Sequence, residues 1–342
     1  MVITTNLKIL LINAENLFLL SDQEISHDHL KLDEGQWQRL STSVYENKSL
    51  LKTRALAHAI LEENPDLILL CEVGGLESLR NFNRLFLNDQ YSAALVEGNS
   101  DRNIDVGFLV RKGLGYYFDL VSNKNRSINY LYPHERQSLA AGMATAGGKT
   151  IQSHRFSRDA AELHLFLHNR DNPFLIFLLT HLKSRLDPDG IDPNGFERRQ
   201  AEMRTLLEIY EDLERRFDGK VPILMGGDLN GQAGRHAPDL EFSEIYQRTK
   251  LEDVCELAKL PHENRATYYQ VGRNHKVEGR QLDYCFLSPT LAPYLKTESV
   301  HVYRYRDHLG IPLDPPTTLE AKTLLPSDHY PLVFELVGVP VF

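Results

Sequence analysis

The sequence predicts an α+β fold of two packed, mostly antiparallel sheets flanked by helices. Apolar runs of strand length recur along the chain, and some, such as 162–168 and 174–180, are separated by only a few residues. A link that short reverses a strand but cannot cross over to a parallel neighbour. Helical stripes also appear early and in the middle, and two sheets with apolar faces need each other and those helices as cover.

In chain order, Lys8–Phe18 reads as a strand opening into a loop. Apolar residues at 51, 55, 56, 59 and 60 form a helical stripe within Lys48–Asn64, ended by Pro65. Leu67–Val73 is a buried strand, and Leu76, Leu79, Phe82, Leu85 and Phe86 mark a second helix. Strand patterns follow at Tyr91–Val96, Val106–Val110, Glu162–His168 and Phe174–Thr180. Phe196–Phe217 is the longest helix and leads into the strand Val221–Met225. Gln281–Leu287, Ser299–Tyr305 and Leu332–Val337 close the chain. Residues 21–47, 123–150 and 306–326 read as long loops of one domain spanning 1–342, and loops of that length are often functional.

With 42% apolar and 25% charged residues, the chain is neither a disordered tail, nor collagen-like, nor a small disulfide scaffold. Acidic side chains outnumber basic ones 47 to 38, a net charge of −9, so charge alone would not hold nucleic acid. Cleavage of nucleic acid stays open if a local basic rim and a metal ion offset the repulsion. Phe174–Leu179, the longest apolar run, is far shorter than the roughly 20 residues of a membrane span. No basic n-region precedes the first apolar stretch, which Lys8 interrupts. Cys71, Cys255 and Cys285 are an odd number without metal-ligand spacing. The expectation is a reduced, cytoplasmic protein without membrane attachment, and no segment implies a protein partner.

Metal-binding and proton-handling residues collect at strand ends. Asn13 closes Leu-Leu-Ile-Asn, and Glu72 follows the apolar run 67–71. A carboxylate there is costly if buried without a cation or donors, and otherwise turns into solvent. His181 opens His-Leu-Lys-Ser after another strand, where a satisfied core histidine is the alternative. Gly226-Gly227-Asp228-Leu229-Asn230 follows Val-Pro-Ile-Leu-Met. Its glycines suit a tight turn at the strand end. The two-residue spacing puts Asp228 and Asn230 on one face of an extended segment, or else marks an Asx-type turn. Asp283 in Gln-Leu-Asp-Tyr and Asp328-His329 in Pro-Ser-Asp-His complete a set that chance does not readily supply.

Taken together, these motifs resemble the endonuclease/exonuclease/phosphatase superfamily, and they span Asn13 to His329. The resemblance implies a four-layer α/β/β/α sandwich with the site at one edge and a divalent metal, Mg²⁺ or else Mn²⁺, as cofactor. It implies Glu72 as principal metal ligand, Asn13 beside it, and Asp328 near that ion or a second one. Asp228 would orient and deprotonate the attacking water, with Asn230 fixing its position. His181 and His329 would donate to phosphoryl oxygens, His329 held by Asp283. Lys183 and Ser184 belong to the His-Leu-Lys-Ser motif and are expected at the substrate. Arg102 and Arg158 are expected at phosphates, and Asp105 at His181, with a surface turn as the alternative for 102–107. Ile12 stands where an aromatic is usual, and Ala-Glu-Asn-Leu-Phe follows Asn13, which resembles a bacterial-type branch more than abasic-site repair enzymes. His27-Asp28-His29 reads as a solvated loop and not as a metal site.

The reading that follows is a metal-dependent phosphodiesterase acting on nucleic acid, DNA favoured. The basic-aromatic stretch His301–Arg306 tilts toward that substrate, since aromatic faces and Arg suit bases and phosphates. The alternative is a phosphatase or phosphodiesterase of the same fold on a small or lipid phosphate. A non-catalytic binding protein is disfavoured, because Glu72, Asp228, Asn230, His181 and His329 are all present.

Overall fold

The computed structural model describes residues 3–167, 170, 172–272 and 276–341. The chain begins with β1 (Ile3–Leu17), α1 (Glu34–Gln38), α2 (Leu50–Glu63), β2 (Leu67–Val73), α3 (Gly75–Phe86), β3 (Tyr91–Ala94) and β4 (Asp105–Arg111). Next come β5 (Tyr117–Ser122), α4 (Pro133–Ala140), β6 (Thr145–Ala146), β7 (Lys149–Thr150), β8 (Ala160–Phe166) and β9 (Leu175–His181). The middle holds α5 (Phe196–Arg216), β10 (Ile223–Asp228), α6 (Ser243–Arg248), β11 (Glu252–Asp253) and α7 (Val254–Leu257). It closes with β12 (Tyr268–Val271), β13 (Val277–Arg280), β14 (Asp283–Leu287), β15 (Leu295–Val302), α8 (Leu319–Thr323) and β16 (Leu332–Val341).

Two six-stranded sheets result, ordered β15-β16-β1-β2-β4-β3 and β11-β14-β10-β9-β8-β5. Each contains one parallel pair, β1 with β2 and β9 with β10, and is otherwise antiparallel. The parallel pairs fall where the chain has a helix to spend on a crossover: α2 lies between β1 and β2, and α5 between β9 and β10.

Side-chain alternation shows how the layers meet. Along β9, Phe177 and Leu179 join the core shared with the first sheet, while Ile176 and Leu178 pack with Leu206, Ile209 and Leu213 of α5. All seven residues of β9 are buried, because the strand is central in its sheet and covered on both faces. Each of its five Leu, Ile and Phe side chains contributes roughly 1.5–3 kcal/mol. Ser49 caps α2 through the Lys52 amide, and Asn64, in a left-handed conformation, ends it before Pro65.

Several boundaries differ from the sequence reading. The strand expected over 162–168 runs from Ala160 to Phe166, and His168 lies outside the described residues. β15 covers Leu295–Val302, not 299–305. The stretch 123–150, read as loop, holds α4 and the β6–β7 pair; α4 buries no residue, so it has no apolar stripe to read. Within 21–47, Asp33 caps α1 and Trp37 is fully buried, its indole N–H donating to the Lys48 carbonyl at 2.8 Å. α8 lies within 306–326. The β12–β13 hairpin was not foreseen. All three cysteines are buried free thiols, and no helix among the described residues is long and apolar enough to cross a membrane.

Candidate active site

Register places the first three groups. Asp228 lies opposite His181 in the parallel pairing of β10 with β9, and opposite Asp283 in its antiparallel pairing with β14. Three adjacent strands therefore set these side chains abreast at one sheet end. Gly226 and Gly227 serve this closeness and not a strand-end turn, since both lie inside β10. A Cβ at Gly227, whose φ is 138°, would stand 1.8 Å from the Thr180 carbonyl oxygen.

Asp228 is the hub. Its Oδ2 accepts from Asn13 Nδ2 at 2.9 Å and lies 3.5 Å from His181 Nε2 and 3.8 Å from His329 Nε2. Its Oδ1 accepts from the Asn230 backbone N–H at 2.8 Å. Asn230 has φ of 54°, so the shared extended face expected for 228 and 230 is not formed. The Asx-type turn forms instead, and it still fixes the carboxylate while Asn230 Nδ2 braces the Leu182 carbonyl at 3.0 Å. Beside the hub, Asp283 Oδ2 and His329 Nδ1 are 2.7 Å apart and both residues are buried.

Burial pushes the Asp228 carboxyl up to about 7, against the opposing pull of His329. Burial also pushes the His329 imidazolium down, but the Asp283 and Asp228 carboxylates outweigh it and hold its pKa well above the usual histidine range. His181 moves the other way: burial, then the Arg158 charge, drive it well below that range. The surroundings thus favour the cationic form of His329 and the neutral form of His181.

The first sheet supplies oxygen donors. Glu15, Asn16 and Glu72 have φ of 49°, 54° and 61°, and the β1–β2 register shifts between Asn13 and Leu17. Left-handed backbone at non-glycine residues costs roughly 1–2 kcal/mol each, a concentration of strain usual beside functional sites. Glu72 Oε2 accepts from the Asn16 N–H at 3.1 Å, and Asn13 Oδ1 from the Glu15 N–H at 2.9 Å. Asp328 Oδ2 is 3.3 Å from Lys322 Nζ, and its Oδ1 is 4.0 Å from His329 Nε2. Two sets could hold a cation. Ligand atoms of Asp228, Asp283 and His329 lie within 4.8 Å of one another. Asn13, Glu72 and Asp328 line the same cleft, with oxygen donors of the kind a hard divalent ion takes.

The cleft encloses ≈ 460 Å³ and brings Arg102, Arg158, His181, Ser184, Asp228, Asn230 and His329 to one wall system with those donors. Arg158 is buried, gives one N–H to the Leu182 carbonyl at 3.3 Å, and leaves Nε without a partner among the described residues. Arg102 Nη2 donates to Asn16 Oδ1 at 2.6 Å. Two expected residues do not take their places. Asp105 does not orient His181: its Oδ1 accepts the Gly98 N–H at 2.7 Å, it lines a neighbouring recess, and His181 Nδ1 has no partner among the described residues. Lys183 turns its ammonium to the carbonyls of Ser184 and Leu186, at 3.1 and 2.6 Å, and is not among the cleft-lining residues.

The stretch His301–Arg306 is also not at the cleft. His301 pairs with Glu63 at 3.1 Å, and Tyr303 and Arg306 bond Glu62 at 2.6 and 2.9 Å, so α2 answers the charges of His301 and Arg306, while Arg304 lies over the Tyr269 and Tyr330 rings. His29 bonds Ser26 and Asp28 bonds Lys31 on an exposed turn, as a solvated loop should. Sequence reasoning missed Glu15, Tyr268, Gln270 and Arg280, which line the cleft. Tyr268 and Gln270 alternate along β12, and that period of two was the available signal.

No family model matches this sequence, and no curated protein matches it either. Solved structures do match. An endonuclease/exonuclease/phosphatase family protein from Bacteroides thetaiotaomicron aligns with TM-score 0.55 at 16% identity, covering 98% of this chain and 96% of that one. The chain has the endonuclease/exonuclease/phosphatase fold. Zebrafish (D. rerio) TDP2, solved with a single-stranded DNA product, shares the fold at TM-score 0.56 and 15% identity, covering 97% and 98% of the two chains. The human Nocturnin catalytic domain, solved with a bound sulfate anion, does so at 0.55 and 15%, covering 97% and 93%.

Proposed function

We propose that this chain is a divalent-metal-dependent phosphodiesterase that hydrolyses nucleic acid, DNA favoured. The observation that carries the reading is the convergence on Asp228 of Asn13, His181, His329 and the Asn230 amide, within 2.8 to 3.8 Å. A buried carboxyl titrating near neutrality is suited to taking a proton from water at physiological pH. His329, kept cationic by Asp283, donates from Nε2 to a non-bridging phosphoryl oxygen, and neutral His181 donates its Nε2 proton beside it. The Arg158 guanidinium neutralises charge on the same group.

Glu72 and Asn13 would hold the ion. The Asp228–Asp283–His329 set is less suited, because His329 Nδ1 already faces Asp283 and a protonated ring has no free lone pair. When bound, Mg²⁺ or Mn²⁺ supplies charge neutralisation at the phosphoryl oxygens and a more acidic water. Support for nucleic acid comes from the DNA product in the TDP2 relative and from Arg102, Arg158 and Tyr268 around the cleft. The deciding experiment incubates the protein with plasmid, single-stranded DNA, RNA and a phosphomonoester panel, in Mg²⁺, Mn²⁺ or EDTA. Polymer cleavage abolished by EDTA is expected. A preference for a small monoester, insensitive to salt, would move the reading to a phosphatase.

A further inference from the structure

We propose that Lys322 is a resident cation that keeps Asp328 from recruiting a second metal ion, so that the cleft works with one. The inference rests on the metal-dependent reading above and concerns how many ions that site takes. Lys322, from α8, places Nζ 3.3 Å from Asp328 Oδ2 and 3.5 Å from the centroid of the Tyr268 ring. Its side chain is only 12% exposed. An ammonium enclosed between a carboxylate and an aromatic face is held by both, through charge and through the ring quadrupole.

The enclosure is itself anchored. Tyr268 pairs with His329 through a backbone bridge, and their rings lie 5.1 Å apart. The Tyr330 N–H donates to the Thr267 carbonyl at 2.8 Å. The hairpin that carries Tyr268 is therefore fastened to the segment that carries Asp328, and α8 delivers the lysine between them. A divalent ion on Asp328 would sit about 2.0–2.6 Å from its oxygens. Lys322 would then face that ion across a single carboxylate, with His329 Nε2 4.0 Å from the other oxygen. The Lys322 ammonium already occupies one side of this carboxylate. Glu72, by contrast, accepts the Asn16 N–H and feels the Arg158 charge without an ion-pair contact among the described residues. Of the carboxylates expected to bind metal, one is left for the ion and the other is answered by the chain.

The test counts ions. Bound Mn²⁺ is measured by electron paramagnetic resonance and Mg²⁺ by calorimetry, on the wild type and on Lys322→Met, Lys322→Arg and Glu72→Gln. The wild type and Lys322→Arg should bind one ion. Lys322→Met, with the stem kept and the charge removed, should bind two, the second lost again in Lys322→Met/Asp328→Asn. Two ions on the wild type, or one on Lys322→Met with an unchanged melting temperature, would overturn the proposal and leave the metal-dependent reading standing. No ion on the wild type would overturn both. Should Lys322→Met unfold, Lys322→Gln replaces it, with the same two outcomes.

Discussion

Removing Asp283 and His329, singly and together, tests whether they act as one unit. Asp283 Oδ2 lies 2.7 Å from His329 Nδ1, and its Oδ1 has no partner among the described residues, so its side chain caps no turn and has His329 as its one hydrogen-bonding neighbour there. If Nε2 of the same ring donates to the transition state, its loss should cost about 10²- to 10³-fold in kcat, or roughly 2.7–4 kcal/mol. Asp283→Ala should cost a similar factor, because the histidine loses both the charge that keeps it protonated and the contact that aims it. Independent contributions would multiply to about 10⁴- to 10⁶-fold. A shared one leaves the double variant within a few-fold of His329→Ala. Asp283→Asn adds a second reading. Without the carboxylate the His329 pKa falls, so the protonated donor is lost at lower pH and the alkaline limb of kcat against pH moves down. Single-turnover rates on a DNA substrate across pH, with melting temperatures for each variant, measure both effects. Multiplicative losses, or an alkaline limb that stays put in Asp283→Asn, would refute the coupling.

Glu72→Gln should weaken Mg²⁺ binding in calorimetry and cut turnover by orders of magnitude with little change in melting temperature, since an amide oxygen can still accept the Asn16 N–H. Gly227→Ala should destabilise severely, by more than about 3 kcal/mol in denaturant titration, because its Cβ would overlap the Thr180 carbonyl in a backbone conformation alanine resists. Away from the site, burial raises the Glu63 carboxyl, but hydrogen bonds from His301 and Lys8 bring it down from 4.5 to about 2. Its stabilisation is fully present above pH 4.5 and lost as pH falls toward 2, at most ~3 kcal/mol. Glu63→Gln should flatten that acid limb in thermal melts.

Most of the fold was legible because its core strands carry their own signal. Leu67–Cys71 is buried on both faces and reads as an unbroken apolar run, and the strand boundaries 67–73 coincide in sequence and structure. Helix α5 shows its stripe because it covers a sheet, whereas the stripe read in α2 is only partly its buried face. Leu56, Ala59 and Ile60 are buried, but Leu51 and Ala55 are exposed, and Leu50, Thr53 and Ala57 complete the face instead. Where an element has no buried face the signal disappears, as in α4, which is held by a proline at its start and the Glu135 carboxylate accepting the Tyr132 N–H. The misplacement of β15 has a related cause: Tyr303 and Tyr305 look like strand residues, but they are buried against α2 and the 329–330 segment beyond the last paired residue.

The site divides along a different line. Asn13, Glu72, His181 and Asp228 were readable because each closes an apolar run, and Asp283 and His329 because each stands just before one, and a sheet gathers its strand ends at one edge whatever the loops do. Residues whose position depends on how a loop folds were not readable in this way. Asp105 and Lys183 sit in the right sequence neighbourhoods, yet one amide at Gly98 and two carbonyls at 184 and 186 claim them first. Lys322 is the converse: nothing in Leu-Glu-Ala-Lys-Thr marks it, and its place against Asp328 arises only because α8, the β12–β13 hairpin and the Asp328 segment meet. Sheet register brings the candidate site groups together, while Arg158 and Lys322 come from a loop and a short helix outside the sheets. A chain of this fold with the same strand-end residues and an uncharged residue at 322 should therefore keep the hub at Asp228 and differ in how many metal ions it binds.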